Sequence, residues 1–284
     1  MANVREYLAN KQIFRVASMV DRDIMPVSKS ERVGVGMADK SAIEWTDATW
    51  NPVTGCTKIS PGCDNCYAAR FSERFRGVPG HPFETGFDLT LRPQRLLQPF
   101  EWKKPRMIFV NSMSDLFHKD IPAAYIGKVF ETMEGADWHI YQILTKRSSL
   151  LQKFVNQRYS VRPAPAHMWF GVSVENERAT SRIAHLQEAN ACIRFLSIEP
   201  LIAPVGKLNL KGISWVIVGG GKRATCAADG RKMGDRYSQS MRAGEGGILL
   251  QAMGWKEFEG RWQVAGRRRV ESVSYGVSDL RGLA

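Results

Sequence analysis

Three of the chain's five cysteines lie close together, and their spacing could support metal chemistry. Cys56, Cys63 and Cys66 form a C-x6-C-x2-C pattern. Thiolates bind soft metals, so three thiols on one loop predict a bound metal centre. One candidate is a [4Fe–4S] cluster in which one iron has no protein ligand. Another is a zinc ion with a fourth ligand such as His81 or His118. A third interpretation is a loop of three buried thiols without metal.

Helix signals surround the second half of this loop. We expect Asp64 to open a helix that continues through Phe71, which places Cys63 and Cys66 at a helix start. Unpaired backbone N–H groups and the positive end of the helix dipole stabilise thiolates there. Cys192 precedes an apolar run, so we predict that it is a core thiol.

Five short apolar runs, rich in β-formers, are the elements that must position the cysteine loop. Each run is followed by polar residues. The runs cover residues 107–110, 139–144, 168–172, 193–196 and 213–218, and helical patterns cover 121–134, 147–157 and 176–189. Strands that alternate with helices predict an α/β fold with a parallel sheet. A whole or partial (β/α) barrel would build its active site at the carboxyl ends of the strands. A doubly wound sheet also binds ligands there, so this pattern leaves both folds open.

Composition indicates an ordinary globular protein, with 44% hydrophobic and 24% charged residues. The net charge is 40 − 28 = +12, which suggests a nucleic-acid partner. The distribution weakens that suggestion, because residues 37–220 carry 22 − 17 = +5 and the last 64 residues carry 12 − 7 = +5. No apolar stretch approaches the ~20 residues of a membrane span. Charged residues interrupt every apolar run near the N-terminus, so we predict a cytoplasmic protein.

The regular pattern begins near Met37 and ends near Gly220. We therefore predict an N-terminal extension over residues 1–36, with Met37 as a candidate start of translation. Residues 37–220 form one three-cysteine (β/α) domain, and residues 221–284 form a divergent tail.

Several motifs in this domain resemble a known family. They are Ile43-Glu44-Trp45-Thr46-Asp47-Ala48-Thr49-Trp50-Asn51-Pro52 and the cysteine loop, then Asn111-Ser112-Met113-Ser114-Asp115-Leu116-Phe117-His118, Leu144-Thr145-Lys146-Arg147, Gly171-Val172-Ser173-Val174-Glu175, Ser197-Ile198-Glu199-Pro200-Leu201 and Trp215-Val216-Ile217-Val218-Gly219-Gly220. Together they resemble the phage-protein family catalogued as gene products thirty-seven and sixty-eight. That family in turn resembles radical S-adenosylmethionine proteins. The first cysteine gap is six residues here, whereas the usual radical pattern is C-x3-C-x2-C.

The resemblance implies a radical-S-adenosylmethionine-like partial (β/α) barrel and hydrogen abstraction by a 5′-deoxyadenosyl radical. It implies iron ligands at Cys56, Cys63 and Cys66. The implied cofactor-binding residues are Ser112, Ser114, Asp115, Ser173, Glu175, Gly219 and Gly220, and the implied catalytic residues are Lys146 and Glu199. The alternative from another functional class is a zinc-binding, non-catalytic phage accessory or nucleic-acid-associated protein.

The resemblance stops after Gly220. Relatives continue with a helix and a strand reading FFFKQWG, and codons for residues 248–255 can yield that strand when read one base out of phase. The same offset restores the relatives' sequence just after Gly220. We therefore predict that a single-base insertion near Gly219–Gly221 put residues 221–284 out of frame, which would disrupt the end of the barrel. Reading the gene tests this.

Overall fold

The structure, a computed structural model, describes Ser41, Ile43, residues 45–219 and the backbone of 249–253. The strands there are β1 (Ala48–Trp50), β2 (Val53–Thr54), β3 (Thr90–Leu91), β4 (Met107–Val110), β5 (Ile140–Thr145), β6 (Ala164–Ser173), β7 (Ala191–Ile198), β8 (Trp215–Gly219) and β9 (Leu249–Met253). The α-helices are α1 (Tyr67–Ser72), α2 (Gln98–Glu101), α3 (Ala123–Gly135), α4 (Ser148–Arg158) and α5 (Ser181–Gln187). Short 3-10 turns cover Pro61–Cys63, Glu73–Phe75, Pro93–Arg95 and Glu177–Ala179.

The main sheet is parallel and follows the chain order β1-β4-β5-β6-β7-β8-β9. A doubly wound sheet would reverse its order at a switch point, and this sheet does not. The curled sheet is a half-barrel, which confirms the coarse prediction of a partial (β/α) barrel. All five predicted strands form. The three predicted helices correspond to α3, α4 and α5, although the last begins with a 3-10 turn.

Helices cover the outer face of the sheet. Alternate strand residues such as Ile108, Tyr141 and Phe170 face the helices and belong to one large core. Phe130 of α3 and Leu151 of α4 join the same core and are fully buried. The apolar runs are β-strands because both of their faces are covered, as expected for a parallel sheet.

A smaller aromatic cluster fills the inner, concave face. Trp45 packs edge-on against Phe109 of β4 at 4.7 Å and against Trp215 of β8 at 5.9 Å between ring centroids. These strands stand four places apart in the sheet, so one side chain touches both only because the sheet curls. Phe195 and Ile217 complete this cluster, which we call the aromatic plug.

Gly171 of β6 has no side chain and so leaves room for the aromatic plug. A Cβ atom at this position would lie 2.4 Å from a ring carbon of Phe195 on the neighbouring strand. We expect Gly171→Ala to lower the free energy of unfolding by about 1–3 kcal/mol, measured by urea denaturation. In a Phe195→Leu background the same substitution should have a smaller effect. The control is Gly127→Ala on α3, where a Cβ meets nothing within 4 Å and should stabilise by about 0.5–1 kcal/mol. An equal loss in both backgrounds would contradict the packing argument.

The prediction that Cys192 is a core thiol is wrong. Its side chain is exposed, at the start of β7, close to where the pairing of β6 and β7 shifts register. The apolar neighbourhood in sequence did not reveal that Cys192 is exposed while its neighbour Ala191 is buried.

Some predictions lie outside the described residues. They are the 1–36 extension, Met37, Gly220 and the reading frame of 221–284, of which only the backbone of β9 is described. No helix in the described part is long and apolar enough to cross a membrane.

Candidate functional site

The cysteine loop, residues 55–67, lies across the carboxyl edge of the parallel sheet. It begins beside the end of β4, where Gly55 N–H donates to the Met113 carbonyl at 2.9 Å. Past the end of β5, Arg147 reaches the loop at Cys56. Past the end of β6, the Glu175 side chain packs against Gly62, because a Cβ there would lie 3.1 Å from the carboxyl carbon. The loop thus spans the ends of three adjacent strands.

Gly55 sets the direction in which the loop leaves β2. Its φ is +82°, and a Cβ atom would lie 2.1 Å from the Asp88 carbonyl oxygen. Only glycine fits both constraints. The position of Cys56 therefore depends on the residue before it.

A buried ion pair holds the first cysteine. Arg147 donates from Nη1 to Asp115 Oδ2 at 2.9 Å and to Cys56 Sγ at 3.4 Å, and both charged side chains are under 10% exposed. Asp115 also accepts from Thr145 Oγ1 at 2.7 Å and from the Lys146 N–H at 3.1 Å. The carboxylate is therefore saturated with protein donors, and it orients Arg147 toward the thiol.

His118 takes part in the same network instead of facing a metal. Its Nδ1 accepts from the Asp120 N–H at 3.2 Å, so Nε2 carries the proton and donates to Thr57 Oγ1 at 2.8 Å. Arg147 also donates to Thr57, at its carbonyl and its hydroxyl. Burial lowers the pKa of His118, which keeps the ring neutral. Both ring nitrogens thus have protein partners, and Nε2 holds Thr57, the residue after Cys56.

The other half of the loop rests on a second buried ion pair. Glu175 is fully buried and pairs with Arg182 Nη1 at 2.7 Å, while Ser60 donates to the same carboxylate. Burial alone would raise the pKa of Glu175, but the hydrogen bonds from Ser60 and Arg182 outweigh it and lower the pKa overall. Lys146 is close enough to add to this lowering. Glu175 therefore anchors the cysteine loop as an ionised group.

This anchor predicts acid sensitivity. A carboxylate with a lowered folded-state pKa stabilises the fold above its unfolded pKa, near 4.5, and that stability is lost as pH falls through the folded value. We expect the free energy of unfolding to decline below about pH 4.5, with Glu175 contributing up to ~1.4 kcal/mol per pH unit. Glu175→Gln should flatten this decline in denaturant titrations at several pH values. An unchanged slope would show that Glu175 does not titrate with a lowered pKa.

Ser112 and Ser114, just after β4, form hydrogen bonds with the segment that precedes the cysteine loop. Ser112 exchanges hydrogen bonds with Asn51 at 3.2 Å, and Ser114 Oγ donates to the Val53 carbonyl at 2.9 Å. Tyr67, the last loop residue, donates its hydroxyl to the Ser112 carbonyl. The side chains of Ser112, Ser114 and Asp115 thus have protein partners, and their cofactor-binding role stays a prediction.

The remaining site residues lie on the inner side of the same edge. Ser173 ends β6 and pairs with Ser197 of β7, and both are buried. The Glu199 side chain packs over Gly219 at the end of β8, where a Cβ would lie 3.1 Å from its carboxyl carbon. Lys146 is half-buried beside Glu175. The structure therefore brings Lys146, Ser173, Glu175, Glu199 and Gly219 to one edge, as the sequence predicted.

Sequence reasoning missed the groups that hold the loop. Arg147, Arg182, Thr57 and Ser60 carry these contacts. Arg147 lies two residues after the end of β5, and a cation at that position could have been recognised from the sequence as a candidate site residue. Nothing in the spacing of Arg182, in the first turn of α5, could have paired it with Glu175. The expected helix start at Asp64 is also shifted, because α1 begins at Tyr67 with Cys66 as its N-cap.

The three thiols are free and half-buried. Within residues 45–219 no three Cys, His, Asp or Glu side chains lie together so that they could hold one metal ion. A tetrahedral zinc site needs sulfurs about 3.8 Å apart, given Zn–S bonds of about 2.3 Å. A cluster binds each cysteine to a different iron, so its ligands stand farther apart. Three half-buried thiols on one anchored loop form a donor set of the kind that soft metal centres use.

Comparison with known proteins gives one match. A family model described as "Protein of unknown function (DUF5131)" matches residues 40–264, about four fifths of the chain. Searches of curated proteins and of solved structures found no match. The matched range includes the cysteine loop and every strand of the half-barrel.

Proposed function

The chain belongs to the DUF5131 family of proteins of unknown function, and we propose that it is an iron–sulfur enzyme of the radical S-adenosylmethionine type. Its cysteine loop would hold a [4Fe–4S] cluster through Cys56, Cys63 and Cys66. When bound, the cluster and S-adenosylmethionine supply the radical chemistry that removes a hydrogen atom from a substrate. Kinship with the phage gene-product family and a cytoplasmic location stay predictions of the sequence.

One observation carries the proposal: three free thiols sit on a loop laid over the carboxyl edge of a parallel half-barrel. Barrels of this kind bind ligands and do chemistry at that edge. The aromatic plug occupies the inner face of the sheet, so we place the cofactor and substrate at the carboxyl edge, beside the loop.

The chain's own residues would position and insulate the centre. Arg147, fixed by Asp115, holds Cys56 and places a positive charge beside its sulfur. Glu175 and Arg182 fix the loop at Ser60. Burial raises the pKa of the Cys56 thiol, so metal loading must displace a proton there.

Side chains on the inner side of the carboxyl edge would bind the cofactor and the substrate. Ser173 and Ser197 are small buried hydroxyl residues, and Gly219 leaves room beside Glu199. Lys146 and Glu199 supply one cation and one carboxylate for binding or proton transfer. We assign these residues to binding the cofactor and the substrate. The two buried ion pairs, Asp115–Arg147 and Glu175–Arg182, hold the cysteine loop in place.

Metal analysis tests the proposal. The full chain, purified and reconstituted without oxygen, should be brown, absorb near ~400 nm and contain about four irons. Cys56→Ser, Cys63→Ser and Cys66→Ser should each lose most of the iron, while Cys192→Ser, at the exposed thiol outside the loop, should retain it. A colourless protein with one zinc would replace this proposal with the zinc-stabilised alternative. Iron loss in the Cys192→Ser variant as well would indicate non-specific loading.

A further inference from the structure

The exposed face of α1 carries an unusual set of side chains. Tyr67, Arg70, Phe71 and Arg74 follow the i, i+3, i+4, i+7 spacing that places residues on one helical face, since the turn Glu73–Phe75 continues α1. All four are exposed, and Ala68 and Ser72 on the opposite face are buried. We call these four residues the basic aromatic strip. It begins at the residue that follows Cys66.

Both rings of the strip are fixed on one side and open on the other. Tyr67 is 58% exposed, and its hydroxyl is held by the Ser112 carbonyl. Phe71 is 44% exposed and packs edge-on against Phe75 at 5.3 Å and Phe83 at 5.7 Å. Phe75 in turn stacks on His81 at 3.8 Å. The rings are therefore rigid platforms whose outer faces are free to stack.

The cations of the strip are not neutralised locally. Two carboxylates on this segment pair with Arg76, Glu73 at 2.6 Å and Asp88 at 2.9 Å. In the described part of the chain, Arg70 and Arg74 form no ion pair. The strip thus presents two open rings alternating with two uncompensated guanidinium groups.

From this arrangement we propose that the basic aromatic strip binds single-stranded nucleic acid. Bases stack on exposed aromatic rings whatever their sequence, and arginines between the rings neutralise backbone phosphates. Protein interfaces also use Tyr and Arg, but they bury an apolar centre, and here the positive charge lies between the rings. Binding requires neither metal nor cofactor, so it is independent of the proposed reaction.

Fluorescence anisotropy on the full, reduced and metal-free chain tests the proposal. The probe is a labelled oligo(dT) of about 15 nucleotides, a length that covers one binding site. Phe71→Ala and Phe71→Leu should each weaken binding about tenfold or more, because both remove the ring. An abasic oligomer of equal length should bind the original chain more weakly than oligo(dT) binds Phe71→Leu, because it loses stacking on both rings and the variant loses it on one.

The contribution of the two arginines to binding is measured separately, from the salt dependence of the affinity. The double variant Arg70→Ala/Arg74→Ala should reduce the slope of log affinity against log salt by about 1.4. Arg178→Ala, an exposed arginine outside the strip, should change affinity by less than about twofold, the loss expected of a single distant charge. Equal affinity of Phe71→Leu and the original chain for oligo(dT), equal binding of abasic and normal oligomers, or no binding of either would overturn the proposal. Matched thermal unfolding of all variants excludes misfolding as the cause.

Discussion

Asp115→Ala should lower the free energy of unfolding by about 3–5 kcal/mol, one of the two largest effects we expect. The substitution leaves the Arg147 guanidinium buried without its carboxylate, and it removes the acceptor of Thr145 Oγ1 and of the Lys146 N–H. Breaking one side of a buried pair costs far more than the pair contributes, because the remaining charge stays out of water. Chemical denaturation measures the change.

Two further variants separate charge burial from other causes. Arg147→Met in the Asp115→Ala background should recover part of the loss, since it removes the isolated charge. Asp64→Ala breaks the exposed contact with Lys58 at 3.6 Å and should cost less than about 1 kcal/mol. If Asp115→Ala cost no more than Asp64→Ala, the buried pair would not be what holds the loop.

Trp45→Ala should lower the free energy of unfolding by a similar amount, about 3–5 kcal/mol. Trp45 is 8% exposed and is the side chain that joins the β4 and β8 sides of the half-barrel. Its carbonyl also accepts from Gln142 Nε2 at 3.1 Å, so the segment before β1 is held from inside the curl. Urea denaturation gives the magnitude.

Trp169→Ala provides the comparison. Trp169 packs against the edge of the aromatic plug at 5.9 Å from Trp215 but is only partly buried, so its removal should cost roughly half as much. Equal losses for both tryptophans would mean that Trp45 stabilises by area alone and not by bridging the sheet.

The sequence predicted most of the fold because parallel strands leave a strong local signal. Ile108 and Val110 face the helices, Phe109 faces the aromatic plug, and β4 is therefore apolar throughout. The curl was not predictable from such runs. It depends on the contact of Trp45 with Trp215, which lies 170 residues away in the chain and beyond any periodic pattern.

The site was predicted in outline and not in its internal roles. Polar residues after strands are visible in sequence, and Asp115, Glu175 and Glu199 do reach one edge. Which side chain each carboxylate binds depends on residues that are distant in the chain. Asp115 and Glu175 are consumed by Arg147 and Arg182, from the start of α4 and the first turn of α5. Those pairings arise only when the helices return to the sheet.

The central claim is that the cysteine loop holds a [4Fe–4S] cluster with one iron open to S-adenosylmethionine. Electron paramagnetic resonance of the full, reconstituted and chemically reduced chain, with and without S-adenosylmethionine, tests it most directly. We expect the signal of a reduced cluster and a change in that signal when S-adenosylmethionine is added, because the ligands of one iron would change. A spectrum with no cluster signal, or one that S-adenosylmethionine leaves unaltered, would contradict it.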